Sequence, residues 1–339
     1  MYDPGGLKPL GEDISKGLDA GLEASSTKNG FRGRKLRNMT LRGCGTALVT
    51  PFRQDGSIDE PALRNLVRWQ IDSGIDFLLP CGTTGETPTL THDEWLRIID
   101  ITTETAAGRL PIMAGATSNN TQDAVAKTRE ASSRTGVGYV LSATPYYNKP
   151  TQEGIYRHFR EVAEASHKPV MLYNIAGRTG TNIETPTLRR LAEVPNIVAV
   201  KEASGNIGQI AEVCGTLPED FLVFSGDDAI TLAVIGLGGV GIVSVASNAI
   251  PAEMTRMTQA ALTGKWDLAR MIFRKYLPLM QANFIESNPI PVKAVLSMMG
   301  RMEEVYRLPM CPMRPENRAK LEKVVTEVGL LQPHSVTVQ

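Results

Sequence analysis

Charge of one sign is what this chain most plainly lacks. Thirty-six Lys and Arg stand against 36 Asp and Glu, for a formal net charge of +0. No global positive field therefore recruits nucleic acid or an anionic membrane surface. Cysteine is scarce: Cys44, Cys81, Cys214 and Cys311 are widely scattered and form no CxxC pair. That excludes a disulfide framework and points to reduced thiols in a cytoplasmic compartment. The four histidines, His92, His158, His167 and His334, show no metal-ligand spacing, so no metal site is expected. Long apolar runs are missing too, and none approaches the roughly 20 residues of a membrane span. What remains, 42% apolar and 21% charged in 339 residues, is an ordinary globular composition. The length suits one large α/β domain with an accessory piece, or two medium domains.

Residues 1–38 differ from the rest. They are rich in Gly, Ser, Lys and Arg and end in the basic run Phe31-Arg32-Gly33-Arg34-Lys35-Leu36-Arg37. Glu12, Asp13, Asp19 and Glu23 argue against a transit peptide, and no apolar core supports a secretory signal. The expectation is a disordered extension, or translated upstream sequence with initiation at Met39.

From Gly43 onward, short apolar runs alternate with amphipathic segments. Strands are expected near 45–50, 76–80, 111–115, 138–142, 170–174, 197–201, 221–225 and 241–245. Helical periods lie between them at 59–73, 91–107, 120–134, 151–167, 185–193, 206–215 and 228–237. Thr91 with Glu94 has the form of a capping box. Eight β/α repeats predict an α/β protein of the closed (β/α)8 TIM-barrel class, spanning residues 39–265. An open doubly wound sheet is the alternative, because periodicity does not report closure. Segments 266–284, 290–300 and 315–329 read as helices, making residues 266–339 a C-terminal helical appendage.

Gly236-Leu237-Gly238-Gly239-Val240-Gly241 matches the dinucleotide fingerprint, but a helical run precedes it and a strand follows. A functional fingerprint has the opposite order, so the segment reads as a tight turn with close backbone packing. Nicotinamide chemistry is a poor hypothesis, and no cofactor is expected.

In a barrel, chemistry gathers where strands end. Lys201 closes the apolar run Asn196-Ile197-Val198-Ala199-Val200. Desolvation there disfavours the ammonium and leaves neutral amine able to attack a carbonyl, although strand-end lysines commonly snorkel to solvent. Strand 2 is followed by Gly82-Thr83-Thr84-Gly85-Glu86, two hydroxyls and free N–H groups suited to a carboxylate, or an ordinary capped turn. After strand 4 come Tyr146 and Tyr147, after strand 5 Tyr173, Asn174 and Arg178, and after strand 7 Ser225-Gly226-Asp227-Asp228. Exposed tandem tyrosines often serve only as interface packing, and an arginine often pairs with a structural carboxylate. Together, an amine nucleophile, phenols for proton transfer and an arginine suit a 2-oxo acid. The imine would itself be the electron sink, so no metal is required.

These motifs, with VKEASGN around Lys201 and Asn288-Pro289-Ile290-Pro291-Val292-Lys293, closely resemble the dihydrodipicolinate synthase family. That family is one of the pyruvate-dependent class I aldolases, and the resemblance covers residues 41 to about 332. It implies a lyase without cofactor that condenses pyruvate with L-aspartate 4-semialdehyde through a Schiff base on Lys201. The product would be 4-hydroxy-tetrahydrodipicolinate, on the diaminopimelate route to lysine. By the same resemblance, Tyr173, Thr83 and Tyr147 form the proton relay, with Tyr147 reaching a neighbouring subunit. Thr84 holds the pyruvate end and Arg178 the semialdehyde carboxylate. The backbone carbonyls near the imine fall on Gly226 and Val243, where Val243 replaces the family's isoleucine. A homo-oligomer, a dimer of dimers, is implied, with neither nucleic acid nor membrane as partner.

Many family members are inhibited by lysine at a cleft between subunits. His92, Asn119 and Tyr146 match that cleft, whereas Trp95 stands at a second histidine position and Asp123 at a glutamate position. The shorter Asp123 implies weak or absent feedback inhibition. Two alternatives remain at this point: a sugar-acid aldolase of the same superfamily, and a non-catalytic sensor of lysine or pyruvate. The relatives that act on sugar acids usually lack the arginine and the tandem tyrosines, and a sensor has no use for a relay.

Overall fold

The computed structural model describes residues 41–331, so the 1–38 extension and residues 332–339 of the C-terminal region lie outside it. Eight parallel strands run β1 Gly43–Ala47, β2 Phe77–Leu79, β3 Ile112–Gly115, β4 Val137–Ala143, β5 Val170–Asn174, β6 Ile197–Glu202, β7 Leu222–Ser225 and β8 Gly241–Ser244. Each pairs with its successor, and β1 pairs with β8, so the sheet is a closed barrel. Nearly every strand residue is buried on both faces, which is why the strands read as continuous apolar runs.

Closure depends on a detail that periodicity does not register. At the seam Gly43 pairs with Gly241. A Cβ on Gly241 would lie 2.0 Å from the Gly43 carbonyl oxygen, so the two backbones meet only without a side chain. The expected reading of the Gly236–Gly241 run holds. Gly236 ends a helix, Gly238 turns at φ 109° and Gly241 opens β8.

The helices between strands are α1 Glu60–Asp72, α2 His92–Ala106, α3 Thr121–Ser133, α4 Gln152–Ala165, α5 Ala176–Thr179, α6 Thr185–Ala192, α7 Ile207–Thr216 and α8 Thr231–Gly236. Both halves of the Thr91–Glu94 capping box are present at the start of α2. Two expected boundaries moved. β1 begins at Gly43 and ends at Ala47; the Leu48 N–H makes a last bond to the Leu79 carbonyl of β2 at 3.0 Å, and the ladder stops at the buried Val49. The Val49 N–H donates to the Asn248 side chain at 3.1 Å instead of to a strand. The 228–237 segment is a 3-10 turn, Asp228–Ile230, followed by the short α8. There the Asp227 carboxylate accepts from the Ala229 N–H and caps the turn.

Four further helices follow: α9 Pro251–Leu262, α10 Trp266–Ala282, α11 Ile290–Met298 and α12 Pro315–Glu327. The side chains of α11 from Ile290 to Leu296 are all buried. Val292, Leu296 and Leu321 share one apolar cluster with Cys44, Leu48 and Ile98, so the last helices pack into the same core as the barrel's first two units. A second cluster fills the barrel interior, where Phe77 and Phe224 meet edge to face at 5.6 Å.

Gly241→Ala is expected to cost at least about 3 kcal/mol, because the clash is with backbone and no rotamer relieves it. Thermal melting should show a fall of several degrees or insoluble protein; an unchanged midpoint would mean the seam can open.

Candidate active site

Side chains alternate across a strand, and at the ends of β5 and β6 this sorts the polar groups. Tyr173 and Lys201 are register partners that point into the barrel, and Asn174 and Glu202 are the next pair. The outward pair is structural. Asn174 Nδ2 donates to the Glu202 carboxylate at 3.1 Å, and Glu202 also accepts the Ser204 N–H at 2.7 Å.

Lys201 is 4% exposed. Its Nζ lies 4.1 Å from the centroid of the Tyr173 ring, and among the described residues it has no salt-bridge partner. Burial lowers its pKa to about 7; the Asp228 carboxylate opposes that shift and the Arg178 guanidinium adds to it. About half of such amines are neutral at pH 7, against roughly one in several thousand for a solvated lysine. Tyr173 is buried as well, and desolvation pushes its phenol well above the usual range, so it holds its proton at neutral pH.

Gly226 supplies the room that Lys201 needs. A Cβ there would sit 3.0 Å from Lys201 Cε and 2.7 Å from the Ala203 Cβ. Val243 lies in the barrel interior in the same apolar cluster as Tyr173. Asp228, in the turn after β7, accepts from Ser244 Oγ at 2.6 Å and from the N–H groups of Val245 and Ala246. Burial pushes its pKa up to about 6 against those hydrogen bonds.

A cavity of about 250 Å³ opens at the strand ends, with Thr83, Lys127, Tyr146 and Arg178 in its lining. Lys201 and Tyr173 do not line it. Leu141 and Ala143 belong both to its wall and to the interior cluster around Tyr173, so the two regions adjoin. Thr83 and Thr84 lie in the 3-10 turn Thr83–Gly85. Thr83 is exposed; Thr84 is buried and its Oγ1 accepts from Asn288 Nδ2 at 2.9 Å. Arg178 sits on α5, where its Nη2 donates to the Asn288 carbonyl at 3.0 Å. No carboxylate among the described residues pairs with it, so the structural role open to such an arginine is not taken.

Tyr147 is not brought to the others within this chain. It is 87% exposed, at φ 75°, a conformation that costs a non-glycine residue roughly 1–2 kcal/mol. The three effector candidates are only partly assembled. Asn119 Nδ2 donates to the Tyr146 carbonyl at 3.2 Å, while His92 Nε2 lies 3.2 Å from Glu130. Trp95 is buried and donates to the Gly115 carbonyl at 2.9 Å.

Three groups stand at the site without a signal in the sequence that assigns them there: Asn288, Lys127 and Asp228. Asn288 and Asp228 lie in motifs already noted, but their contacts span long sequence separations that one sequence does not reveal. Lys127 looks like an ordinary exposed position on α3. No group of three His, Cys, Asp or Glu suited to a metal occurs among the described residues. No described helix is long and apolar enough to cross a membrane.

Residues 40–328 match the model of the dihydrodipicolinate synthetase family. The 4-hydroxy-tetrahydrodipicolinate synthase of Koribacter versatilis is 64% identical over 298 residues, 88% of this chain and 99% of that protein. The enzyme of that name from Acidobacterium capsulatum is 60% identical over 294 residues, 86% of this chain and 97% of its own length. Among solved structures, the chloride-inhibited dihydrodipicolinate synthase of Acinetobacter baumannii in complex with pyruvate superposes with a TM-score of 0.84. It is 38% identical, covering 86% of this chain and all of that one. A closed barrel with a buried strand-end lysine, matched in sequence along nearly the full length of these relatives, leads to one conclusion: the chain belongs to the dihydrodipicolinate synthetase family.

Proposed function

We propose that the protein condenses pyruvate with L-aspartate 4-semialdehyde to 4-hydroxy-tetrahydrodipicolinate, the committed step of lysine synthesis through diaminopimelate. The observation that carries this reading is the buried amine of Lys201, held near pKa 7 beside a protonated phenol. The neutral amine adds to the pyruvate ketone, and loss of water gives the imine. The cationic imine withdraws electrons, a methyl proton leaves, and the enamine carbon attacks the aldehyde. The amino group of the adduct then displaces Lys201 from the imine carbon, closing the ring and freeing the enzyme.

Each proton transfer needs a hydroxyl relay. Tyr173, with its proton retained, and Thr83, exposed at the cavity, supply two members. Tyr147 of a neighbouring subunit supplies the third. Its exposure and its strained backbone support a residue that finds its contacts outside its own chain. The minimal active unit is then a dimer, within a dimer of dimers. Thr84 binds the pyruvate carboxylate, and the unpaired edge of Arg178 binds the semialdehyde carboxylate. The Gly226 and Val243 carbonyls face the imine carbon. The compartment is the cytoplasm, in keeping with four free cysteines.

Borohydride reduction with pyruvate should add mass to Lys201 and to no other lysine, and Lys201→Ala should abolish trapping. Lys293 offers no substitute, because it is ion-paired and fully buried. Since only the neutral amine attacks, the trapping rate should rise with pH through about 7 and level off above about 8. A rate still climbing at pH 10 would mean that the amine is unshifted.

Arg178→Ala should lower kcat/KM for the semialdehyde by about two orders of magnitude while pyruvate trapping falls far less. Equal loss in both steps would assign Arg178 a structural role. Neuraminate and 2-keto-3-deoxy sugar acids, run in the same assay, should not be cleaved.

Lysine should inhibit weakly or not at all. Asp123 is a methylene shorter than the glutamate of the effector cleft, so its grip on the ammonium of a bound lysine is weaker. Steady-state inhibition in the sub-millimolar range would refute this.

A further inference from the structure

The turn that carries Thr83 and Thr84 is held from the far end of the chain. Glu86 ends this turn in the left-handed conformation, φ 53° and ψ 32°, and joins it to the next turn, Thr87–Thr89. That conformation is uncommon for a residue other than glycine. The Glu86 side chain is held there by Lys293 on α11. Its Nζ lies 2.5 Å from Glu86 Oε1, with the side chains 0% and 1% exposed. The other carboxylate oxygen accepts the Arg307 N–H at 3.3 Å. Phe52 and Tyr306 close the space around the ammonium, at 4.5 and 5.2 Å from ring centroid to Nζ.

Such a pair is a weak device for stability, since desolvating both ions offsets most of their attraction. What it does supply is geometry. Two charges without water accept one separation and one direction, and so fix where the turn stands against α11. Asn288, five residues before Lys293, uses the same footing: its side chain donates to Thr84 and its carbonyl accepts from Arg178. Both groups assigned above to substrate carboxylates are therefore referenced to the start of α11.

We propose that the buried Glu86–Lys293 pair is a positioning device for the reaction, setting the Thr83–Thr84 turn at the distance from Lys201 that pyruvate requires. This rests on the pyruvate-imine reading above. Neither residue touches substrate; both act through the two threonines. Loss of the pair should therefore weaken capture of pyruvate more than it weakens the fold.

The test replaces both members at once, Glu86→Gln with Lys293→Met, so that no lone charge is left buried. The variant should stay folded, with a melting midpoint within a few degrees of the parent. Its KM for pyruvate should rise about tenfold or more and its trapping rate on Lys201 should fall, as expected when a reacting partner is misplaced. Lys293→Arg, which keeps the charge, should recover part of that loss. A folded double variant with the parent's pyruvate KM and trapping rate overturns the proposal. If the double variant does not fold, Glu86→Asp keeps both charges and draws the turn inward. A pyruvate KM raised severalfold then supports the proposal, and an unchanged KM overturns it. Failure of the underlying reading is distinct, because the parent itself would then show no trapping with pyruvate.

Discussion

Everything at this site depends on keeping one amine out of water. The barrel removes nearly all solvent from Lys201, and that desolvation, more than any neighbouring charge, brings its pKa to about 7. The surroundings limit the effect from two directions. Asp228, itself buried and partly neutralised, favours the ammonium, while Arg178 disfavours it. Gly226, lacking a Cβ, leaves the lysine side chain the space it runs through.

The barrel makes such a place cheaply because strand alternation separates roles along one edge. Tyr173 and Lys201 look inward, whereas Asn174 and Glu202, one residue on, tie the wall to the loops outside it. Rigid backbone hydrogen bonding thus holds the two inward groups as neighbours without any direct bond between their polar atoms. The loops carry Thr84 and Arg178, and both are fastened to Asn288 near the far end of the chain.

The sequence made the local layers plain and left the long-range ones hidden. Strand and helix positions followed from apolar periodicity, and the lysine stood out because a charged residue ended an apolar run. The count of eight β/α repeats points to a closed barrel, but the contact that makes the seam, Gly43 against Gly241 across 198 residues of chain, is invisible to periodicity. The apolar run around β1 extends past the strand's end because Val49 stays buried while its N–H turns to the Asn248 side chain. The lone Lys293 within the apolar stretch Ile290–Leu296 was a sign that a buried carboxylate must lie nearby. Which carboxylate it was, only the fold could supply. Asn288 gave less warning still, since an asparagine before a proline has the composition of any turn.

The fastening of the Thr83–Thr84 turn also has a meaning in time. Glu86 and Lys293 are 207 residues apart in the chain, and Thr84 and Asn288 are 204 apart. A ribosome delivers Lys201 and all eight strands well before it delivers α11. The two fastenings of the turn are therefore contacts that the growing chain can complete only near its end, and the placement of Thr83 and Thr84 against the barrel waits on the final helices.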